Sequence, residues 1–139
     1  MSKKIILVLS ILGVAVSIYL SWAYLSGSHI ACTTHGCEAV RSSSYSKLFG
    51  IPQPVFGILF YLAIGFLALI SQIGEKTFTI GIKRLIIVFS AFGFLYSVYL
   101  TSLEAFVIKA YCDWCLVSAG ISTLIFIIAL REIFYEKTT

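Results

Sequence analysis

Charge is what this chain has least of. Only 12% of its 139 residues are Asp, Glu, Lys or Arg, while 60% are hydrophobic and the mean hydropathy is +1.02. Soluble domains carry roughly a quarter of charged residues, so the shortage excludes that class and predicts an integral membrane protein. No charge falls deep within the apolar runs, which argues against an ion-coupled transporter, since that function uses a buried ionisable group. Flavin, nicotinamide and haem motifs are also absent, and no metal is expected. Nor is there room for a second folded unit. A crossing takes about 20 residues, so four helices with short connections nearly fill the length, and residues 1–139 read as a single membrane domain.

What is present is four long apolar runs. They predict an all-α integral membrane protein, a bundle of four transmembrane helices with spans at about 5–25, 54–73, 85–106 and 112–130. Lys3 and Lys4 precede the first run, which exceeds the roughly 7–15 residues of a signal-peptide core and lacks an A-x-A ending, so it is expected to be retained. Residues 26–53 are the long polar stretch, placed outside the bilayer because irregular backbone cannot face lipid with unpaired N–H and C=O groups. Pro54 suits the first turn of the second span. Gly74-Glu75-Lys76 and Lys83-Arg84 bound a short connector, and a tight turn is expected from Lys109 to Asp113. Gly13, Ser17 and Ser21, and then Gly93, Ser97 and Thr101, repeat small residues every fourth position, as close helix packing requires.

The net charge of +4 does not indicate a nucleic-acid partner, because the basic residues gather at the ends of apolar runs instead of on one amphipathic face. They indicate topology. Lys3, Lys4, Lys76, Lys83, Arg84, Arg131 and Lys137 fall on one side, and Arg41, Lys47 and Lys109 on the other. Basic residues are retained in the cytoplasm, so both termini are expected there, in a multi-pass protein of the cell (inner) membrane. The loop 26–53 and all four cysteines then lie on the extracytoplasmic face, where disulfides form and persist.

The cysteines come as Cys32-x4-Cys37 in the loop and Cys112-x-x-Cys115 at the mouth of the last span. Two residues three apart at a helix N-terminus share a face and feel its positive potential, which raises the thiolate fraction, so Cys112 and Cys115 read as a cycling dithiol. The alternative is a static disulfide. A pair in a loop can meet a water-soluble thiol and then exchange with a second disulfide, so the two pairs form a relay. A four-cysteine zinc site is the competing pattern, disfavoured because the spacings are split across two membrane spans. His29 and His35 either tune the loop thiols or are solvated; Glu104 and Asp113 are expected near the outer interface, where a charge can snorkel to water, with proton movement to a quinone as the alternative role. Disulfide formation releases two electrons and two protons, and at the lip of an apolar bundle the natural acceptor is a lipid-soluble quinone.

The string Cys37-Glu38-Ala39-Val40-Arg41-Ser42-Ser43, then Phe49-Gly50-Ile51-Pro52, Phe56-Gly57-x-x-Phe60-Tyr61 and Cys112-x-x-Cys115 resemble, in this order, the vitamin K epoxide reductase family in its prokaryotic form. The resemblance covers nearly the whole chain. It implies a four-helix bundle around a bound quinone (ubiquinone, menaquinone or similar). It also implies that Cys32 exchanges with a thioredoxin-fold partner, that Cys37 forms a mixed disulfide with Cys112, and that Cys115 meets the quinone. Ser43 and Gln53 match polar quinone-binding positions and Phe56 and Phe60 match the pocket wall, although helix packing would also account for the two aromatics. Some members carry a tyrosine four residues beyond the second cysteine of the C-x-x-C, and here that position is Ala119. Many prokaryotic members carry a fused thioredoxin-like domain; this chain ends at Thr139 without one, so a separate DsbA-like partner is expected. Three alternatives remain at this level: reduction of vitamin K epoxide on the same cysteines, a small four-helix transporter with structural disulfides, and a scaffold whose cysteines stay paired.

Overall fold

Why four helices form follows from the solvent. With no water in the bilayer core, each apolar segment must satisfy its backbone internally, and the helix does so within one segment. The computed structural model describes residues 2–27, 32 and 36–138; His29 and His35 lie outside the described residues. The long helices are α1 (Ser2–Ser26), α3 (Gln53–Ile73), α4 (Lys76–Ser102) and α5 (Asp113–Thr138). All four are long and apolar enough to cross a membrane, over Lys4–Ser26, Gln53–Ile73, Thr77–Ile108 and Asp113–Tyr135. Each packs on two others in a closed ring, α1 on α3, α3 on α4, α4 on α5 and α5 on α1. Large apolar side chains such as Ile11, Trp22, Phe66 and Leu95 point outward, as a lipid-facing surface demands.

Small residues set the closest approaches. A side chain at Gly13 would run into the ring of Tyr61, and one at Gly57 into the side chain of Ser17, so the α1 stripe read from the sequence is the contact with α3. Between α4 and α5, Ser97 Oγ and Ser122 Oγ share a hydrogen bond of 2.8 Å. Tyr61 OH reaches from α3 to α5, donating to the Ser118 carbonyl at 2.8 Å with Ser118 Oγ at 2.9 Å. Ile6, Ile64, Ile82, Ile86, Ile121 and Ile125 fill the core at one end of the bundle.

One expectation is corrected. The connector before the third span is only Gly74 and Glu75, and helix resumes at Lys76 instead of near residue 85. Lys83 and Arg84 do not break it, because Thr79, Ile82 and Ile86 recur at helical spacing and bury, while Lys83 pairs with Glu132 of α5 at 3.4 Å. Residues 26–53, read as an extramembrane loop, contain short elements of their own. They hold α2 (Cys37–Ser42), a 3-10 turn (Ser44–Ser46) and a two-stranded hairpin of β1 (Lys47–Leu48) and β2 (Ile51–Pro52), in register Lys47 with Pro52. Its turn places Phe49 and Gly50 at φ 55° and 79°, the two positive angles of a primed hairpin turn. α4 also widens at its end into a π-helix, Leu103–Ile108, closed by Lys109 in the left-handed region and by Ala110 N–H donating to the Glu104 carbonyl at 3.1 Å.

Candidate functional site

α2 begins at Cys37 and is pinned to the end of α1 by Arg41. Its guanidinium pairs with Glu38 at 2.6 Å and donates to the Ala23 carbonyl at 3.4 Å, while Tyr24 OH donates to the Arg41 carbonyl at 3.3 Å. A cation on the last carbonyls of a helix satisfies groups the helix leaves open and complements its dipole. The residue before α2 is Gly36, which is buried with its Cα against the backbone of Tyr111; a Cβ there would collide with the Tyr111 carbonyl. The loop is thereby docked onto the turn that carries Cys112.

The consequence is one cluster holding all four cysteines. Cys37 (1% exposed) and Cys112 (2%) are buried with Leu20 and Ala23 of α1, and Cys32, Cys115, Val40 and Trp114 pack against them. Tyr19 and Trp114 close the side, with ring centroids 4.8 Å apart. Cys32 and Cys37 are joined in a disulfide with Cα atoms 6.2 Å apart, and Cys112 and Cys115 are thiols. Cys112 immediately precedes α5 instead of lying within its first turn, and its carbonyl accepts the first α5 hydrogen bond, from Leu116 N–H at 3.0 Å. A hydrogen bond from Cys115 holds the Cys112 thiol below the ordinary thiol range, against an opposing push from burial.

Glu104 is the residue the sequence placed wrongly. Expected to snorkel at the interface, it is 4% exposed, and its Oε2 accepts the Cys112 N–H at 3.2 Å. Cys115 packs against Cys112, and Cys112, Cys115 and Glu104 line one cavity. Helical spacing accounts for this, since Ser97, Leu100, Thr101 and Glu104 recur on one face of the helix and line the same cavity. A signal was available, because Glu104 is the lone charge between residues 85 and 108.

A cavity of 540 Å³ opens beside the cluster, between α3, α4 and α5. Cys37, Cys112, Cys115 and Glu104 line one part of it, and Ser43, Gln53, Phe56 and Phe60 line it too, together with Tyr61, Tyr96, Ser118 and Ala119. Cys32 packs on the cysteine cluster without lining the cavity. Ser43 Oγ donates to the Val40 carbonyl at 2.7 Å. The Gln53 amide is held at both ends, accepting from Tyr96 OH and donating to the Tyr45 carbonyl at 3.3 Å. Tyr61 and Tyr96 were not singled out as site residues from sequence, because apolar helices carry aromatics everywhere and only packing shows which ones face inward. The volume suits a ring-sized ligand, and the walls combine aromatic surface with a few placed polar groups, as such sites do.

Comparison with known proteins agrees with this arrangement. The chain is 30% identical over 125 residues to thiol-disulfide oxidoreductase LTO1 of Arabidopsis thaliana, an alignment covering 83% of this chain and 32% of that protein. This chain therefore spans less than a third of that relative's length. The model of the vitamin K epoxide reductase family matches residues 4–130, which contain all four cysteines and all four long helices but for the start of α1 and the end of α5, and the chain belongs to that family.

Proposed function

We propose that this protein is a quinone-dependent thiol-disulfide oxidoreductase that supports disulfide formation on the extracytoplasmic side of the membrane. The observation that carries the reading is the burial of Cys37 against Cys112 at the lip of the cavity, with the loop pair oxidised and the terminal pair reduced. The thiol-disulfide oxidoreductase name of the relative supports the same chemistry.

A thioredoxin-fold dithiol, supplied by a DsbA-like protein, reduces the Cys32–Cys37 disulfide by exchange through Cys32. The Cys37 thiolate then attacks the Cys112 sulfur of an oxidised Cys112–Cys115 pair, and Cys115 leaves as a thiolate. Cys32 next attacks Cys37, the loop disulfide reforms and Cys112 is released as a thiol, which is the state of the structure. A quinone bound in the cavity supplies the acceptor for two electrons and two protons. Phe56 and Phe60 would hold its ring, with Ser43 and Gln53 in reach of an oxygen. Where Ala119 offers no hydroxyl, Tyr61 and Tyr96 line the same cavity. Cys115 is the sulfur proposed to face the acceptor.

The test is turnover in membrane-embedded protein with a reduced thioredoxin-fold protein and a short-chain ubiquinone, followed by quinone absorbance and by partner disulfide content. Stoichiometric quinol and partner disulfide are expected, with both lost in Cys115→Ala. A Cys115→Ala protein that keeps the wild-type rate, or partner oxidation that ignores quinone, overturns the proposal.

A further inference from the structure

The relay described above uses the four sulfurs and leaves out the one carboxyl buried among them. Glu104 is 4% exposed inside a membrane span, a costly position for an ionisable group, and such residues are functional candidates by default. Among the described residues no ion pair involves Glu104. Instead its Oε2 receives the Cys112 N–H at 3.2 Å, and it lines the same cavity as Cys115. It also sits in a π-turn, a feature often found at functional sites.

Oxidation of the terminal pair must move protons as well as electrons. The Cys112–Cys115 disulfide forms only as two S–H protons leave, and burial at this site limits direct exchange with water.

We propose that Glu104 is a catalytic residue, the proton carrier of the terminal pair: its carboxylate takes the proton from Cys115 Sγ and delivers it into the cavity as the disulfide forms. The balance is Cys112–SH plus Cys115–SH plus quinone giving the Cys112–Cys115 disulfide plus quinol. Both electrons pass to the quinone, one proton travels through Glu104 and the other comes from Cys112. The carboxylate is regenerated each cycle. The Cys112 N–H fixes one oxygen of the carboxyl, and the other is outside that hydrogen bond. This inference rests on the quinone-dependent reading.

The decisive variant is Glu104→Gln, whose amide oxygen still accepts the Cys112 N–H but whose side chain cannot take a proton. The full chain, carrying the loop disulfide and a reduced terminal pair, is alkylated with iodoacetamide in the absence of quinone, with Cys115 labelling followed by peptide mass spectrometry. The same preparation is then mixed with short-chain ubiquinone in single-turnover experiments. Glu104→Gln is expected to slow both Cys115 labelling and disulfide formation, the latter about 100-fold as befits loss of a general base, with no change in the quinone concentration giving half-maximal rate. Glu104→Asp restores part of both rates. A Glu104→Gln protein matching wild type in Cys115 labelling overturns the proposal. So does a Glu104→Ala protein that is slow while Glu104→Gln is normal, which makes the carboxyl an anchor for Cys112 only. Should Glu104→Gln not accumulate, Glu104→Asp with wild-type labelling and oxidation rates has the same force. Wild-type protein whose terminal pair is not oxidised by quinone sinks the proposed function instead, and is told apart by the quinone-free labelling.

Discussion

The Cα of Gly36 lies against the main-chain carbonyl of Tyr111, so the residue before Cys37 touches the residue before Cys112. This contact sets the distance between the two cysteine pairs. The obstacle to any side chain at position 36 is backbone, which cannot turn aside as a flexible side chain would. Gly36→Ala is therefore expected to lift α2 from the turn and slow electron transfer from loop pair to terminal pair at least tenfold, on the scale seen when reacting groups are misplaced by an ångström. Oxidation of a chemically reduced terminal pair by quinone should change much less. Rapid-quench thiol trapping separates the two steps.

The proximity of Cys37 and Cys112 also predicts a trap. Without Cys32 nothing resolves the mixed disulfide from the loop side, and without Cys115 nothing resolves it from the other. The double variant Cys32→Ser, Cys115→Ala should accumulate a Cys37–Cys112 disulfide under mild oxidation, read by peptide mapping. Its two free thiols staying alkylatable would contradict the proposed order of exchange.

Tyr96 acts on the cavity through Gln53, whose amide it orients. Removing one hydrogen bond of this kind costs about 0.5–1.5 kcal/mol, so Tyr96→Phe should raise the quinone KM by about 2- to 10-fold. The rate of thiol exchange with the protein partner should not move. Steady-state kinetics with varied quinone and then varied partner provide the check.

The hydrogen bond from Cys115 that depresses the Cys112 thiol gives a pH dependence. A lowered pKa keeps Cys112 partly thiolate at pH values where an ordinary thiol is fully protonated, so its alkylation should persist further into the acidic range. Cys115→Ala removes the donor, and the profile should shift to higher pH. Iodoacetamide labelling of Cys112 between pH 5 and 10 measures both curves, and superposable profiles would count against the assignment.

A packing prediction concerns the other half of the bundle. Gly13 faces the ring of Tyr61, whose hydroxyl is fixed on Ser118, so the ring has little freedom to retreat. Gly13→Val should destabilise the bundle by about 1–3 kcal/mol through overpacking. The fall in thermal midpoint in detergent reports it.

The sequence by itself determined the class of the protein, its four apolar spans and the two cysteine pairs. Hydropathy and residue spacing are local properties, and the bilayer turns a run of apolar residues into a helix with little reference to the rest of the chain. Tertiary structure decided the rest. That Cys37 is buried against Cys112 depends on Arg41 holding α2 to α1 and on Gly36 meeting Tyr111, contacts between residues far apart in the chain. Hydropathy took Lys83 and Arg84 for a boundary, but burial of Ile82 and Ile86 and the pairing of Lys83 with Glu132 carry the helix through them. The position of Glu104 shows the same limit, because a carboxylate near the end of a span reads as interfacial until packing buries it. Its hydrogen bond with Cys112 arises only when α4 and α5 meet across the turn that joins them.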